Sequence, residues 1–313
     1  MKFPVINREE DFDAHFQSPI WLDAAKEICR RHRIVFNGLK RADSSDHIVF
    51  TIDDLLILKI YRPFRRCFER ESKAFEFVVG KLDFQIPEII QIGEFESFKY
   101  VLMTRLSGAA LTRKDWLTLP ENEQLAFVSK LAIGLKQIHR LNADSLDCDW
   151  AEFVEDRADT FVERQIAHGV NHRIIKSLPA FIEENFKLVP KSEPVVFMHG
   201  DVHFGNLRVR KSRGEWCIYG LFDFADSRCG FHEYDFLAVG ILMIQGQAEI
   251  QREFFRAYGY AEDELDESFR KRLMMLTMLY ESSDLRRYAL RLKPEAVDFT
   301  LEELEKGIWS FAD

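Results

Sequence analysis

The chain has 313 residues, 47% of them hydrophobic, with 28 phenylalanines against 8 tyrosines and 5 tryptophans, and a formal net charge of −9. That length at ordinary composition supports a sizeable core in two domains or lobes and excludes a small peptide-like module. The acidic balance disfavours a nucleic-acid binder that depends on a basic footprint, and the longest apolar run, "FLAVGILMI", is about half of a membrane span.

Residues 21–33 repeat apolar positions at helical spacing. "RIVFNGL", "HIVFTID" and "DLLILKIY" then read as short strands, the last two joined as a hairpin across Asp53 and Asp54. Residues 68–82 return to helical spacing with Gly80 near the stop, and "IPEIIQIGEFESFKYVLMTRL" reads as two more strands. One helix thus interrupts about five strands. After the small-residue break "LSGAAL" comes a long helix with Leu125, Val128, Leu131, Leu135 and Ile138 on one face. Helices are expected over 149–169 and 174–186, then strand, loop and strand in "VVFMHGDVHFGNLRV", and another strand in "EWCIYGLFDFAD". From Tyr234 onward the spacing is helical. The fold class is therefore α+β, with a small β-rich lobe over 1–105 and a larger, mainly helical lobe over 106–313; such bilobes tend to bind ligands in the crevice between lobes.

The polar residues inside the apolar run at 195–209 carry the chemistry. Asp201 and Asn206 lie five apart where the chain leaves a strand, and Asp223 stands at the end of the next strand. Should those strands pair as a hairpin, two carboxylates and an amide oxygen converge on one point. These are hard oxygen donors suited to Mg²⁺, and magnesium suggests phosphate. The relation is that of kinase-type phosphoryl transfer, where an Asp accepts the hydroxyl proton while an Asn and a second Asp hold the metal.

"HGDVHFGN" followed by "FDFAD" resembles the signature of the aminoglycoside phosphotransferase family, small-molecule kinases with a protein-kinase-like fold. The resemblance covers roughly residues 34–245 and implies Asp201 as base, with Asn206 and Asp223 as Mg²⁺ ligands. Lys59 in "LLILKIY" and Glu71 on the next helix match the pair that clamps the phosphates of ATP or GTP. "YVLMTRL" is similar to the family's hinge, which implies the nucleotide base on the backbone of Thr104 and Leu106, with Met103 lining its pocket. The phosphate-covering turn has no GxGxxG, so Ser44 and Ser45 would donate there. Gly200 replaces the arginine of regulated protein kinases, and Ala225 follows Asp223-Phe224 in place of glycine. The implied partners are a nucleotide and a small hydroxylated acceptor, with no nucleic acid and no membrane; nothing here implies an oligomeric state.

Residues 230–313 hold 17 acidic and 10 basic residues, against 17 of each over 1–110. That asymmetry suits a polycationic acceptor such as an aminoglycoside and equally suits a merely solvated surface. Glu281 and Asp284 share a helical face and are candidates for a cationic acceptor, with Asp226 near the loop; surface pairing and capping are the plainer roles. His199 is expected to hydrogen-bond the loop, and Asp235 to tie a helix N-terminus to it. Kinases of sugars, methylthioribose, choline or amino alcohols fit the same scaffold. From other classes, a metal-dependent hydrolase on His199, Asp201 and His203 and a nucleotide-binding scaffold without activity also compete. The start "MKFPVINREEDFDAHF" lacks the apolar stretch of a signal peptide, and Cys29, Cys67, Cys148, Cys217 and Cys229 form no CxxC pair. A cytoplasmic protein with reduced thiols is expected.

Overall fold

The computed structural model describes residues 3–43, 45–144, 146–192, 195–212, 214–294 and 299–312. The chain divides into two compact units, one of residues 1–108 with 220–226 and one of residues 109–219 with 227–313.

The first unit begins with α1 (Glu9–His15) and α2 (Ile20–Arg31). Strands β1 (Leu39–Arg41), β2 (Ile48–Ile52) and β3 (Leu56–Ile60) follow, then α3 (Cys67–Val78), β4 (Ile89–Phe95) and β5 (Phe98–Thr104). All neighbouring strands run antiparallel in the order β1-β2-β3-β5-β4. The side-chain alternation of a strand puts Ile48, Phe50 and Ile52 of β2 into the core, with Val49 and Thr51 half-buried between them. There they join Trp21, Ala24, Ala25, Ile28 and Cys29, the buried stripe of α2. The turn from β2 to β3 needs left-handed backbone at Asp53 and Asp54 (φ 48° and 56°), which aspartate tolerates better than most residues.

The strand expected in "RIVFNGL" is confined to Leu39–Arg41 at its far end. Arg33 turns left-handed (φ 57°) after α2, and the Asn37 and Gly38 N–H groups donate to the Asp53 carboxylate rather than to a ladder. Val35, apolar by sequence, is 94% exposed. A side-chain acceptor has taken the bonds a strand would have made.

Residues 220–226 belong to this unit for a visible reason. Leu221 N–H donates to Gln85 O, Phe224 N–H donates to Glu71 Oε1, and the buried Phe224 ring meets Phe75 edge-on.

The second unit opens with α4 (Arg113–Thr118), α5 (Glu121–His139), α6 (Trp150–Ala167) and α7 (His172–Asn185). Next come β6 (Val196–Met198), β7 (Leu207–Ser212), β8 (Glu215–Leu221), whose last two residues fall in the first unit, and β9 (Arg228–Gly230). β7 pairs with β8, as the sequence suggested, and β6 pairs antiparallel with β9. The short α8 (Phe236–Ala238) runs into a π-helical turn over Val239–Ile244. Last come α9 (Ala248–Tyr258), α10 (Glu267–Leu279), α11 (Leu285–Leu292) and α12 (Leu301–Ile308). The apolar stripe of α5 is buried at Val128, Leu131, Leu135 and Ile138. From Leu273 to Leu279, α10 is enclosed on every side, as a helix that is apolar all round must be. Among the described residues no helix is long and apolar enough to cross a membrane.

Candidate active site

In the first unit Lys59 sits on β3 opposite Val49 and Val101, inside the sheet rather than at its edge. Its ammonium is buried and lies 2.6 Å from Glu71 Oε2 and 2.7 Å from Asp223 Oδ1. Burial works against that charge, but the Asp223 and Glu71 carboxylates outweigh it and hold Lys59 above its usual range. Glu71, 1% exposed on α3, is moved the other way: burial pushes its carboxyl up while Lys59 opposes. Tyr61 Oη donates to Glu71 Oε2 at 2.5 Å, and Phe224 N–H donates to Oε1 at 3.1 Å. The buried carboxylate therefore has three donors, as an acceptor that deep in the protein requires.

Asp223 adopts left-handed backbone (φ 66°), an uncommon conformation for a residue with a side chain. Its neighbours Leu221 and Phe224 are fixed by backbone bonds to Gln85 and Glu71, so the surrounding structure over-determines the strained residue. Asp226 ends the short 3₁₀ turn that follows and is half-buried.

The other nucleotide-binding candidates lie in the same unit. Met103 is buried in β5. Thr104 N–H donates to Glu88 O and Thr104 Oγ1 accepts from Glu88 N–H, so both these groups are engaged within the strand edge. Leu106 is half-buried over Gly220, where a Cβ would come within 2.7 Å of its Cδ1. Ser45 Oγ accepts the His47 N–H at 3.1 Å. Ser44 lies outside the described residues.

In the second unit β6 delivers the chain to a loop whose backbone is gripped from below. Asp235, 1% exposed, accepts His199 N–H on Oδ2 at 2.9 Å and Gly200 N–H on Oδ1 at 2.6 Å. The Asp235 carboxylate also meets His139 Nε2 at 2.9 Å, and His139 Nδ1 meets Tyr258 Oη at 2.8 Å. Gly200 turns left-handed here (φ 87°), which brings the next residue out of the strand direction. Asp235→Ala leaves two buried N–H groups without acceptors. At about 1–3 kcal/mol for each orphaned group it lowers stability by about 3 kcal/mol, read from urea unfolding; an unchanged midpoint would remove this anchoring role.

Asp201 follows. Its N–H donates to His199 Nδ1 at 3.2 Å. Asn206 Nδ2 donates to Asp201 O at 2.9 Å and Oδ2 at 3.2 Å, which commits the amide nitrogen and leaves the amide oxygen, a hard donor, for a cation. His203 Nδ1 accepts Gly205 N–H, so Nε2 carries the hydrogen that faces Asp201 Oδ2 at 3.2 Å. On the other oxygen, Tyr280 Oη donates to Oδ1 at 2.6 Å. Burial disfavours the ionised form, yet His203 and Tyr280 hold the carboxyl below the ordinary carboxylate range. Asp201 is thus held ionised in a half-buried setting, its side chain 23% exposed.

The Nδ1 atoms of His199 and His203 both accept backbone N–H groups, and Nε2 of His203 is turned to Asp201. Among the described residues no group of three or more His, Cys, Asp or Glu is arranged to hold a metal ion. Glu281 Oε2 lies 2.6 Å from Arg228 Nη2, and Asp284 caps α11 by accepting Arg287 N–H. Sequence reasoning assigned no role to Tyr61, His139 or Tyr280, each a ring that reads as ordinary packing until its polar atom is traced to a carboxylate.

Comparisons with known proteins bear on the family and the fold. The pattern of a family described as "Phosphotransferase enzyme family" matches residues 41–268. Wild-type aminoglycoside 2'-phosphotransferase-IIIa, solved with GDP, is similar at TM-score 0.71 and 14% identity, covering 92% of this chain and 98% of that one. The streptomycin–ATP complex of APH(2'')-IIa is similar at TM-score 0.59 and 19% identity, with 93% and 98% covered. APH(3'')-Id from Streptomyces rimosus, with ADP and streptomycin, is similar at 0.57 and 15%, with 82% and 98% covered. No curated protein sequence matches. At such identities the likenesses speak for the fold, which is the α+β, protein-kinase-like one.

Proposed function

The chain belongs to the phosphotransferase enzyme family, and from that premise we propose that it moves the γ-phosphate of ATP or GTP, with Mg²⁺, to a hydroxyl of a small molecule of the aminoglycoside class. The observation that carries this reading is the buried Lys59 ammonium held between Glu71 and Asp223. A lysine fixed in this way offers a point charge to nucleotide phosphates without having to be ordered at the moment of binding. Asp201 accepts the proton of the acceptor hydroxyl. Asn206, through its amide oxygen, and Asp223 would hold the metal, which would offset the negative charge of the phosphate oxygens. Catalysis then rests on positioning and charge neutralisation, with no covalent intermediate on the enzyme. The need for a nucleoside triphosphate accords with a cytoplasmic enzyme.

The acceptor class is supported by two of the solved relatives, whose complexes contain streptomycin, and by the acidic surplus over 230–313. A second reading, a kinase of a less cationic metabolite such as a sugar, methylthioribose or an amino alcohol, is favoured by one observation. Glu281 is already paired with Arg228, and Asp284 caps a helix. A coupled ADP- and GDP-release screen over aminoglycosides, sugars and amino alcohols separates the two, with Asp201→Asn as blank. Turnover on an aminoglycoside alone supports the first reading, turnover on a neutral acceptor alone the second. Equal rates for wild type and blank on every acceptor would sink both.

A further inference from the structure

Asp201 stands among three side-chain donors that are unequal in origin. Asn206 and His203 both approach Oδ2, and both belong to the same loop as Asp201. They move with it and cannot fix its direction relative to anything else. Tyr280 approaches Oδ1 from the end of α10, 79 residues along the chain. It is the one side-chain donor to this carboxylate, among the described residues, that comes from outside the loop.

Tyr280 is itself anchored. Arg157 donates to three consecutive carbonyls, Leu279 O at 3.2 Å and Tyr280 O and Glu281 O at 2.7 Å each, which satisfies acceptors that the end of α10 leaves open. Glu281 N–H donates to Tyr234 Oη at 2.9 Å, and the Tyr234 and Tyr280 rings meet at 5.6 Å. Arg228, stacked on Phe153 at 3.6 Å, holds the Glu281 carboxylate. The phenol is 4% exposed and follows the fully enclosed stretch of α10. Its hydroxyl is therefore a rigid reference point.

A carboxylate oxygen accepts in its plane along two lone-pair directions. On Oδ2 both directions are used by Asn206 and His203. On Oδ1 one is used by Tyr280 and one remains. We propose that Tyr280 is a positioning residue for phosphotransfer, aiming the remaining lone pair of Asp201 Oδ1 at the acceptor hydroxyl. This rests on the reading of Asp201 as the base. In the step it serves, the acceptor oxygen bonds to the γ-phosphorus, the bond from that phosphorus to the bridging oxygen breaks, and nucleoside diphosphate leaves. The acceptor proton passes to Asp201 Oδ1.

The test uses the full chain with Mg·ATP and Mg·GTP, both with kanamycin and with water as the sole acceptor, and compares wild type, Tyr280→Phe, Asp201→Asn and a protein with p-aminophenylalanine at position 280. Phenylalanine keeps the ring and removes only the donor, whereas the amino analogue returns a donor to the same place. Tyr280→Phe lowers kcat about ten- to hundredfold, the scale of a misplaced reacting group. It leaves the nucleotide KM within about twofold and the urea midpoint near wild type, and the amino analogue recovers most of the loss. If Asp201→Asn is inactive and Tyr280→Phe turns over like wild type, the positioning role alone is overturned. A fall in kcat and urea midpoint together, without recovery by the amino analogue, makes Tyr280 a structural residue and also overturns it. Wild-type turnover by Asp201→Asn would refute the base itself, and the inference with it.

Discussion

Asp201→Asn is expected to give a folded protein that binds nucleotide and turns it over about 10²–10⁴-fold more slowly, the range a positioned general base supplies. The substitution keeps size and removes the charge. Its amide oxygen can still accept the Tyr280 hydroxyl, but its nitrogen would face His203 Nε2, which then lacks its acceptor, and Asn206 Nδ2, which keeps only the Asp201 main-chain oxygen. Such a clash of donors costs about 1–3 kcal/mol, which is visible in urea unfolding and too little to unfold an ordinary domain. Nucleotide affinity should stay within about threefold, because Lys59, proposed to meet the phosphates, and Glu71, which holds it, belong to the other unit and are untouched. A fluorescent nucleotide titration beside the coupled product-release assay separates the outcomes. Loss of turnover with intact binding supports the base. Parallel loss of binding would mean that Asp201 organises the nucleotide site instead.

The same residues show which parts of a site a sequence can disclose. Lys59 and Glu71 were legible because a lysine on a strand and a glutamate on the following helix match the arrangement of kinase-type enzymes, and the structure pairs them. Asp235 was legible as an acid at the start of a helix, and it does hold the loop, by two backbone N–H groups. Tyr61, His139 and Tyr280 gave no such signal. A buried ring is what a core normally contains, and its polar atom becomes informative only when its partner is known. Those partners lie 10, 96 and 79 residues away. The strand lost before Leu39 failed for the complementary reason. Its apolar pattern was sound, but Asp53, on a turn fifteen and sixteen residues on, takes the N–H groups of Gly38 and Asn37. Periodicity reports which faces are apolar; it does not report which side chain competes for the backbone.

Lys59→Met should abolish measurable turnover and also cost stability, and the two losses have different partners. Lys59 neutralises Glu71, which is 1% exposed, and Asp223, whose side chain is 41% exposed. Water can serve Asp223 once the lysine is gone, so little stability is lost there. Glu71 has no such recourse. Breaking a buried pair by removing one partner costs about 3–5 kcal/mol, unless the remaining group takes up a proton. Burial already pushes the Glu71 carboxyl upward with Lys59 present, and without it the push is larger. A folded-state value above the unfolded one means that the native protein binds more protons through that window, so stability falls as pH rises through it. Urea midpoints of Lys59→Met should therefore lie closer to wild type at pH 5 than at pH 8. The double variant Lys59→Met/Glu71→Gln should recover most of the stability at pH 8, since a neutral amide oxygen can still accept from Tyr61 Oη or Phe224 N–H. Turnover should stay lost in both, because neither restores a cation beside the phosphates. A double variant no more stable than the single one would show that the Lys59–Glu71 pair does not carry the cost; a double variant with restored turnover would remove Lys59 from the chemistry.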